Sequence, residues 1–320
     1  MARIPPFREL PQVGHSGEHQ AWEVFGAGDQ LGTVNLLTPE RVKQAAGLVR
    51  TGRVINLSLP LNFPITLYGG FRTGYRHHIE VNRGGRDDYV DNFAMQGSSQ
   101  WDSLRHIRYR EFGYYGGRQD EQVDDKAELG IEHWARHGIV GRGVLLDAAR
   151  YMEHQGSPLD ATQRFAMDGP FLERVAQAQQ LSVQAGDIVL LRTGWLAWYG
   201  GLDEAGREAL RGTLHPGEGG MACPGLDAAQ ETAAWLWDHQ IAAMAADNVA
   251  LEALPVDVKT GGFQHRRLIA LQGMPVGEVW DLEELARDCA QDGVYEFFLV
   301  SVPLNLPGGV GSPANAYAIK

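Results

Sequence analysis

Asp187-Ile-Val-Leu-Leu-Arg-Thr193-Gly194-Trp195 is the stretch whose reading sets the fold class. Its short apolar run between charged residues has the length of a strand covered on both faces. Val144-Leu145-Leu146 repeats the pattern upstream, and Ile241 to Ala246 repeats it downstream, ending in Asp247-Asn248. Helix starts fall between them. Asp168 caps the run Gly-Pro-Phe-Leu-Glu-Arg-Val, and Asp227-Ala-Ala-Gln230 has capping-box spacing and leads a helix through Trp237. Asp281-Leu-Glu-Glu-Leu opens a further helix, followed by strands at Tyr295 to Pro303 and near Ala316–Ile319. Alternating strands and helices from residue 140 onward predict an α/β fold, a layered domain with helices against a sheet.

Working toward the N-terminus, Thr38-Pro39-Glu40 starts a helix whose apolar stripe is Val42, Ala45, Ala46 and Val49, with Gly52 to stop it. Val54 to Leu61 alternates and predicts a strand. Residues 62–130 are rich in Gly, Arg, Asp and Tyr with little periodicity, and an excursion of that length is usually functional. Residues 1–25 are polar and proline-marked and predict an extended arm; residues 26–320 are expected to form one domain.

Composition narrows the function classes. The 320 residues carry 28 Lys and Arg against 40 Asp and Glu, a net charge of −12. That balance argues against nucleic-acid and anionic-membrane partners. Two cysteines, Cys223 and Cys289, cannot build a disulfide framework or a zinc knuckle. The opening MARIPPFREL lacks the apolar centre of a signal peptide and no apolar run reaches membrane-spanning length, so a cytoplasmic location is expected. A phosphate loop and a GxSxG elbow are both absent from the sequence. Gly26-Ala-Gly28-Asp-Gln-Leu-Gly32 has one residue too many for a dinucleotide fingerprint and no buried strand before it. His133 and His137 share a helical face, but Trp134 stands where HExxH needs glutamate, so the pair is read as surface or packing.

One stretch inside the excursion carries chemistry: Met95-Gln96-Gly97-Ser98-Ser99-Gln100-Trp101-Asp102-Ser103-Leu104-Arg105-His106. If it runs extended, Gln96, Ser98, Gln100 and Asp102 project to one side, with His106 a short turn further on. Oxygen donors beside an imidazole suit a divalent cation and a proton-transfer partner; a polar strand edge is the plainer alternative.

At this stretch the chain resembles the cyclase family of metal-dependent hydrolases, which includes bacterial kynurenine formamidase, isatin hydrolase and trans-dienelactone hydrolase. The family signature is H-x-G-T-H-x-D-x-P-x-H. Here Asp102 and His106 match, Ser99 replaces threonine, Leu104 replaces proline, and Gln96 and Gln100 replace the two metal-binding histidines. Further matches run in family order: Gly32 to Glu40, Gly141 to Asp147, Gly186 to Trp195, Pro224-Gly225-Leu226, Ala246-Asp247, His265 with Glu278, and Pro303 to Pro313.

The resemblance implies a cyclase or kynurenine formamidase-like swivelling fold with a mixed sheet at its core. It implies a metal site drawn from Gln96, Gln100, Asp102, His265 and Glu278. Amide oxygen is a weak ligand, so replacing two imidazoles favours one ion, manganese or zinc with magnesium also acceptable, held by Asp102, His265 and Glu278. It implies hydrolysis of a C–N or C–O bond in a small cyclic amide, lactone or formamide, with His106 as acid/base and Glu278 able to share the proton handling. Phe71, Tyr75, Ser98 and Trp101 are the candidate substrate contacts, with Tyr114 and Tyr115 as further pocket walls. The other functions left open are a metal-free ligand-binding or scaffold protein and a metal-dependent isomerase or dehydratase. A homodimer or homotetramer is expected, as family members generally form oligomers.

Overall fold

The computed structural model describes residues 4–69, 71–126, 128–215, 219–256 and 263–320. Thirteen strands occur among them: β1 (Val54–Asn56), β2 (Arg76–Val81), β3 (Arg86–Asp91), β4 (Gln100–Asp102), β5 (Ile139–Asp147), β6 (Ala166–Met167), β7 (Ile188–Arg192), β8 (Gly225–Leu226), β9 (Ala243–Ala246), β10 (Val276–Glu278), β11 (Glu296–Ser301), β12 (Gly311–Pro313) and β13 (Ala316–Ile319). Nine of these form one mixed sheet in the order β1-β13-β11-β5-β7-β9-β10-β4-β12. β5, β7, β9 and β10 run parallel at its centre, and the outer pairings are antiparallel. The fold is therefore mixed α/β, a large sheet flanked by helices.

The parallel strands carry the sequence pattern that predicts them. Val144 to Leu146, Ile188 to Leu191 and Ala243 to Ala246 are buried, as strands covered on both faces require. Helices Pro39–Ala46, Ala148–His154 and Gly169–Ala178 pack against this centre. Thr38 caps the first of them on Arg41 N, and Asp168 caps the third with a 2.8 Å bond from Phe171 N. The helix after Asp227 runs Gln230–Asp238, and that after Asp281 runs Glu283–Asp292. Several strands are shorter than predicted: alternation over 54–61 yields only β1, because Asn56 turns its side chain onto the Ser58 backbone.

Residues 7–22 lie on their own chain. Phe7, Leu10 and Ala21 bury against Trp237, Trp22 Nε1 donates 2.7 Å to Ala270 O, and Glu18 pairs with Arg267. Residues 76–91 form the hairpin β2–β3, almost wholly exposed on both faces, with Ile79, Val81, Tyr89 and Val90 in solvent. No helix among the described residues is long and apolar enough to cross a membrane.

Candidate metal centre and active site

Register builds the floor of the site. β4 pairs with β10 so that Gln100 faces Glu278, Trp101 faces Gly277 and Asp102 faces Val276. Side chains alternate along a strand, so Gln100, Asp102 and Glu278 share one face while Trp101 takes the other. Trp101 is fully buried there, edge-on to Trp280 at 4.8 Å and donating 2.8 Å from Nε1 to Ser301 Oγ. Gly277 is required opposite it: a Cβ would lie 2.6 Å from Ala245 Cβ and 2.8 Å from Trp280 Nε1.

His265 sits on the helical lead into a π-helical segment, Arg266–Gln272. Segments of that type are frequent at functional sites. Its Nδ1 lies 2.6 Å from Glu252 Oε1, which also accepts from His265 N at 2.9 Å. Its Nε2 lies 3.0 Å from Glu278 Oε1 and 3.7 Å from Asp102 Oδ2. Burial alone would depress the His265 pKa, but the hydrogen bonds and charges of Glu252 and Glu278 outweigh it and hold the pKa well above its ordinary value. Glu252 is placed by Asn248, whose Nδ2 donates to the Pro224, Leu251 and Glu252 carbonyls at 2.8, 3.4 and 3.1 Å.

Asp102, His265 and Glu278 thus offer ligand atoms all within 4.8 Å of one another, and all three residues are buried. Asp102 Oδ2 has no hydrogen-bond partner, nor does Glu252 Oε2. Orphaned carboxylate oxygens in the interior are costly unless a cation meets them. Two oxygens and one imidazole nitrogen at this spacing fit one divalent ion.

Gln96 and Gln100, the two further members of the candidate ligand set, sit against the carboxylates of that triad. Gln96 Nε2 donates to Asp102 Oδ1, and Gln100 Nε2 donates to Glu278 Oε2. An amide nitrogen has no free lone pair for a metal, so in this arrangement both residues orient the ligand carboxylates. Arg72 completes the floor, donating to Gln96 O and lying 3.5 Å from Gln100 Oε1, with its guanidinium over the Tyr68 ring at 4.6 Å.

His106 stands at the cavity wall, one quarter exposed, with Nε2 3.8 Å from Asp102 Oδ2. Gln96 Nε2 is 3.0 Å from its Nδ1. A donor at Nδ1 leaves the neutral ring's proton on Nε2, the nitrogen nearer Asp102. Above these groups opens a cavity of about 430 Å³, walled by Phe71, Leu214, Met221, Val249, Leu254 and Phe263 among others. That volume suits a small organic molecule.

The candidate substrate contacts divide. Phe71 lines the cavity and is 75 % exposed. Trp101 is core, for the reason of alternation given above. Ser98 points elsewhere, donating 3.0 Å to Pro60 O, because residues 95–99 turn and do not continue the strand. Tyr75 packs edge-on against Phe93 at 6.2 Å and is absent from the cavity wall. Tyr115 is buried with its hydroxyl on Asp29 Oδ2 at 3.1 Å, and Tyr114 packs against the core. Glu252, Arg72 and Tyr68 were not singled out from sequence. For Glu252 a signal exists: a carboxylate inside the apolar run Val249-Ala-Leu-Glu-Ala-Leu254.

The sequence model of the Cyclase family matches residues 55–253. A crystal structure described as that of a novel cyclase superposes with a TM-score of 0.79 at 35 % identity, covering 94 % of this chain and 99 % of that one. The protein belongs to the cyclase family. Isatin hydrolase A from Labrenzia aggregata bound to benzyl benzoate shares the fold, with a TM-score of 0.57 at 16 % identity over 86 % of this chain and 96 % of that chain. An isatin hydrolase bound to the product analogue thioisatinate gives 0.56 at 17 % identity over 89 % and 97 %. Among curated protein sequences none matches this chain.

Proposed function

We propose that the protein is a metal-dependent hydrolase that opens a C–N or C–O bond in a small cyclic amide, lactone or formamide. The observation that carries this reading is the partnerless Asp102 Oδ2, buried beside Glu278 Oε1 and His265 Nε2 at the base of an apolar-walled cavity. A divalent ion held there, manganese or zinc, would supply a polarising charge for a carbonyl and acidify a water.

The chain's own residues do the rest. Glu252 fixes the His265 ring by accepting at Nδ1, leaving Nε2 turned to the cavity. Gln96 and Gln100 hold the carboxylates of Asp102 and Glu278. With its ring hydrogen on Nδ1 and the Gln96 amide turned to offer Oε1, His106 can take a proton from water at Nε2, and the imidazolium so formed can return that proton to the leaving amine or alkoxide. Phe71, Met221, Val249 and Phe263 exclude water around the substrate body. A homodimer or homotetramer accompanies this reading, and the two-sided exposure of β2–β3 supports it, because an isolated hairpin is marginal in water.

The test is metal analysis of the purified protein, followed by hydrolysis assays with N-formyl arylamines, cyclic imides and aryl lactones before and after chelation. One equivalent of metal with chelator-sensitive turnover supports the reading. Less than a tenth of an equivalent, with no binding of added manganese or zinc, refutes it.

A further inference from the structure

On the hydrolase reading above, we infer that the site selects substrates that carry a carboxylate besides the scissile bond, held at Arg110 and Arg266 on the cavity wall. The protein as a whole is acidic, with a net charge of −12, yet among the described residues three arginines and one carboxylate, Glu278, line this cavity. A cleft of one sign in a body of the other concentrates ligands of matching charge. Arg72 is already engaged by Gln96 and Gln100 at the floor.

Arg110 and Arg266 have no carboxylate partner among the described residues. Arg110 is exposed and Arg266 half-buried, whereas the arginines with nearly buried side chains are committed: Arg105 to Asp124, Arg118 to Glu128, Arg142 to Asp187 and Glu296, Arg192 to Asp147 and Glu283, Arg267 to Glu18. Arg266 Nε is buried without any hydrogen-bond partner, an uncommon state for a guanidinium nitrogen. The two guanidiniums lie over aromatic rings instead, Arg266 over Phe263 at 5.7 Å and Arg110 over Tyr109 at 5.7 Å. A guanidinium held over a ring face can still turn its N–H groups to a planar carboxylate. Phe263 in turn stacks on His265 at 4.9 Å with an interplanar angle of 10°. A continuous line therefore joins the metal ligand, an apolar ring and an unpaired cation. A substrate matching it has a reacting carbonyl at one end, a flat or apolar body, and an anion at the other.

The test compares 3-phenylpropionate with its neutral amide, 3-phenylpropanamide, by calorimetric titration of the full chain, first stripped of metal and then with manganese restored. The acid is expected to bind at least about tenfold more tightly in both forms, the scale of a charge-assisted hydrogen bond. In the Arg110→Gln/Arg266→Gln double variant the ratio should fall to about one with the amide affinity retained, and Arg266→Lys should keep part of the preference. If the double variant fails to fold, the two single Gln variants must each lower the ratio. The inference is overturned if the acid does not bind the unmodified protein measurably or binds no better than the amide, or if its preference survives both substitutions. A preference seen only after manganese is restored also overturns it, since that places the carboxylate on the ion. Failure of the hydrolase reading is separable: a protein that holds no metal and hydrolyses nothing would still show, or lack, the metal-free preference.

Discussion

Replacing Glu252 by glutamine isolates the part of the site that acts only through another side chain. Glu252 Oε1 accepts from both His265 N and His265 Nδ1, while Oε2 is buried with no partner. In Glu252→Gln the amide oxygen can keep both of the first contacts, and the NH2 group takes the place of an oxygen that is already unsatisfied. Size and hydrogen-bond count therefore hardly change, and the lost quantity is the negative charge that makes His265 Nε2 a stronger donor. Groups of this kind are worth about 10–100-fold in metal affinity, or ~1.4–2.8 kcal/mol at 1.4 kcal/mol per decade. Competition of manganese or zinc against a chromophoric chelator reads that loss directly. Thermal melting of the metal-free variant checks that it folds. Affinity unchanged within about twofold of the starting protein, in a variant that is folded, would refute the idea that Glu252 works through the His265 ring.

His106→Ala should lower turnover at least about a hundredfold, the usual reach of a general acid–base group, and leave the metal content of the protein unaltered; loss of the metal would make His106 a ligand. Asp247 offers a pH test. Burial pushes its carboxyl up from 3.8 to about 6, against the hydrogen bonds it accepts from Thr193 and Gly194 and the charge of Arg192. A raised carboxyl pKa means that the folded chain holds the proton more tightly, so this contribution to stability is present below pH ~4 and is lost as pH rises toward ~6. The rise corresponds to about 3 kcal/mol at ~1.36 kcal/mol per tenfold change. Urea unfolding of Asp247→Asn against the parent should show the variant gaining on it by that order between pH 4 and pH 7; parallel pH profiles would contradict the assignment. Cys223 and Cys289 are buried, and burial pushes each thiol up to about 12. Neither should react with Ellman's reagent in the folded protein, and both should after denaturation; a fast native thiol would mean that one of the two is reached from solvent.

The parallel centre of the sheet was readable because strands covered on both faces leave continuous apolar runs, as at Val144-Leu-Leu146 and Ile188–Leu191. The hairpin was not, since a ribbon exposed on both sides imposes no period on residues 76–91. Asp102, His265 and Glu278 are far apart in sequence, and no local pattern says that they meet; the resemblance to the cyclase family supplied that. The extended reading of residues 95–106 succeeded where pairing enforces it, from Gln100 to Asp102, and failed for Ser98, which lies in the turn before it. For Glu252 the lone carboxylate in an apolar run was a signal, but its role was not legible, because it depends on Asn248 gathering the carbonyls of residues 251 and 252.

The pairing of β4 with β10 has a consequence for how this protein can change. Trp101 and Asp102 are neighbours in the chain but face opposite ways, one into the buried core and the other into the reaction chamber. A shift of one residue would exchange them, putting an indole among the carboxylates and a carboxylate against Trp280 and Ser301. No displacement of this strand can relax the site while sparing the core. The wall of tryptophans acts as a gauge that sets where the oxygens stand, and variation in chemistry is channelled into the side chains that line the opening, where Phe71, Arg110 and Arg266 can be replaced without moving the sheet.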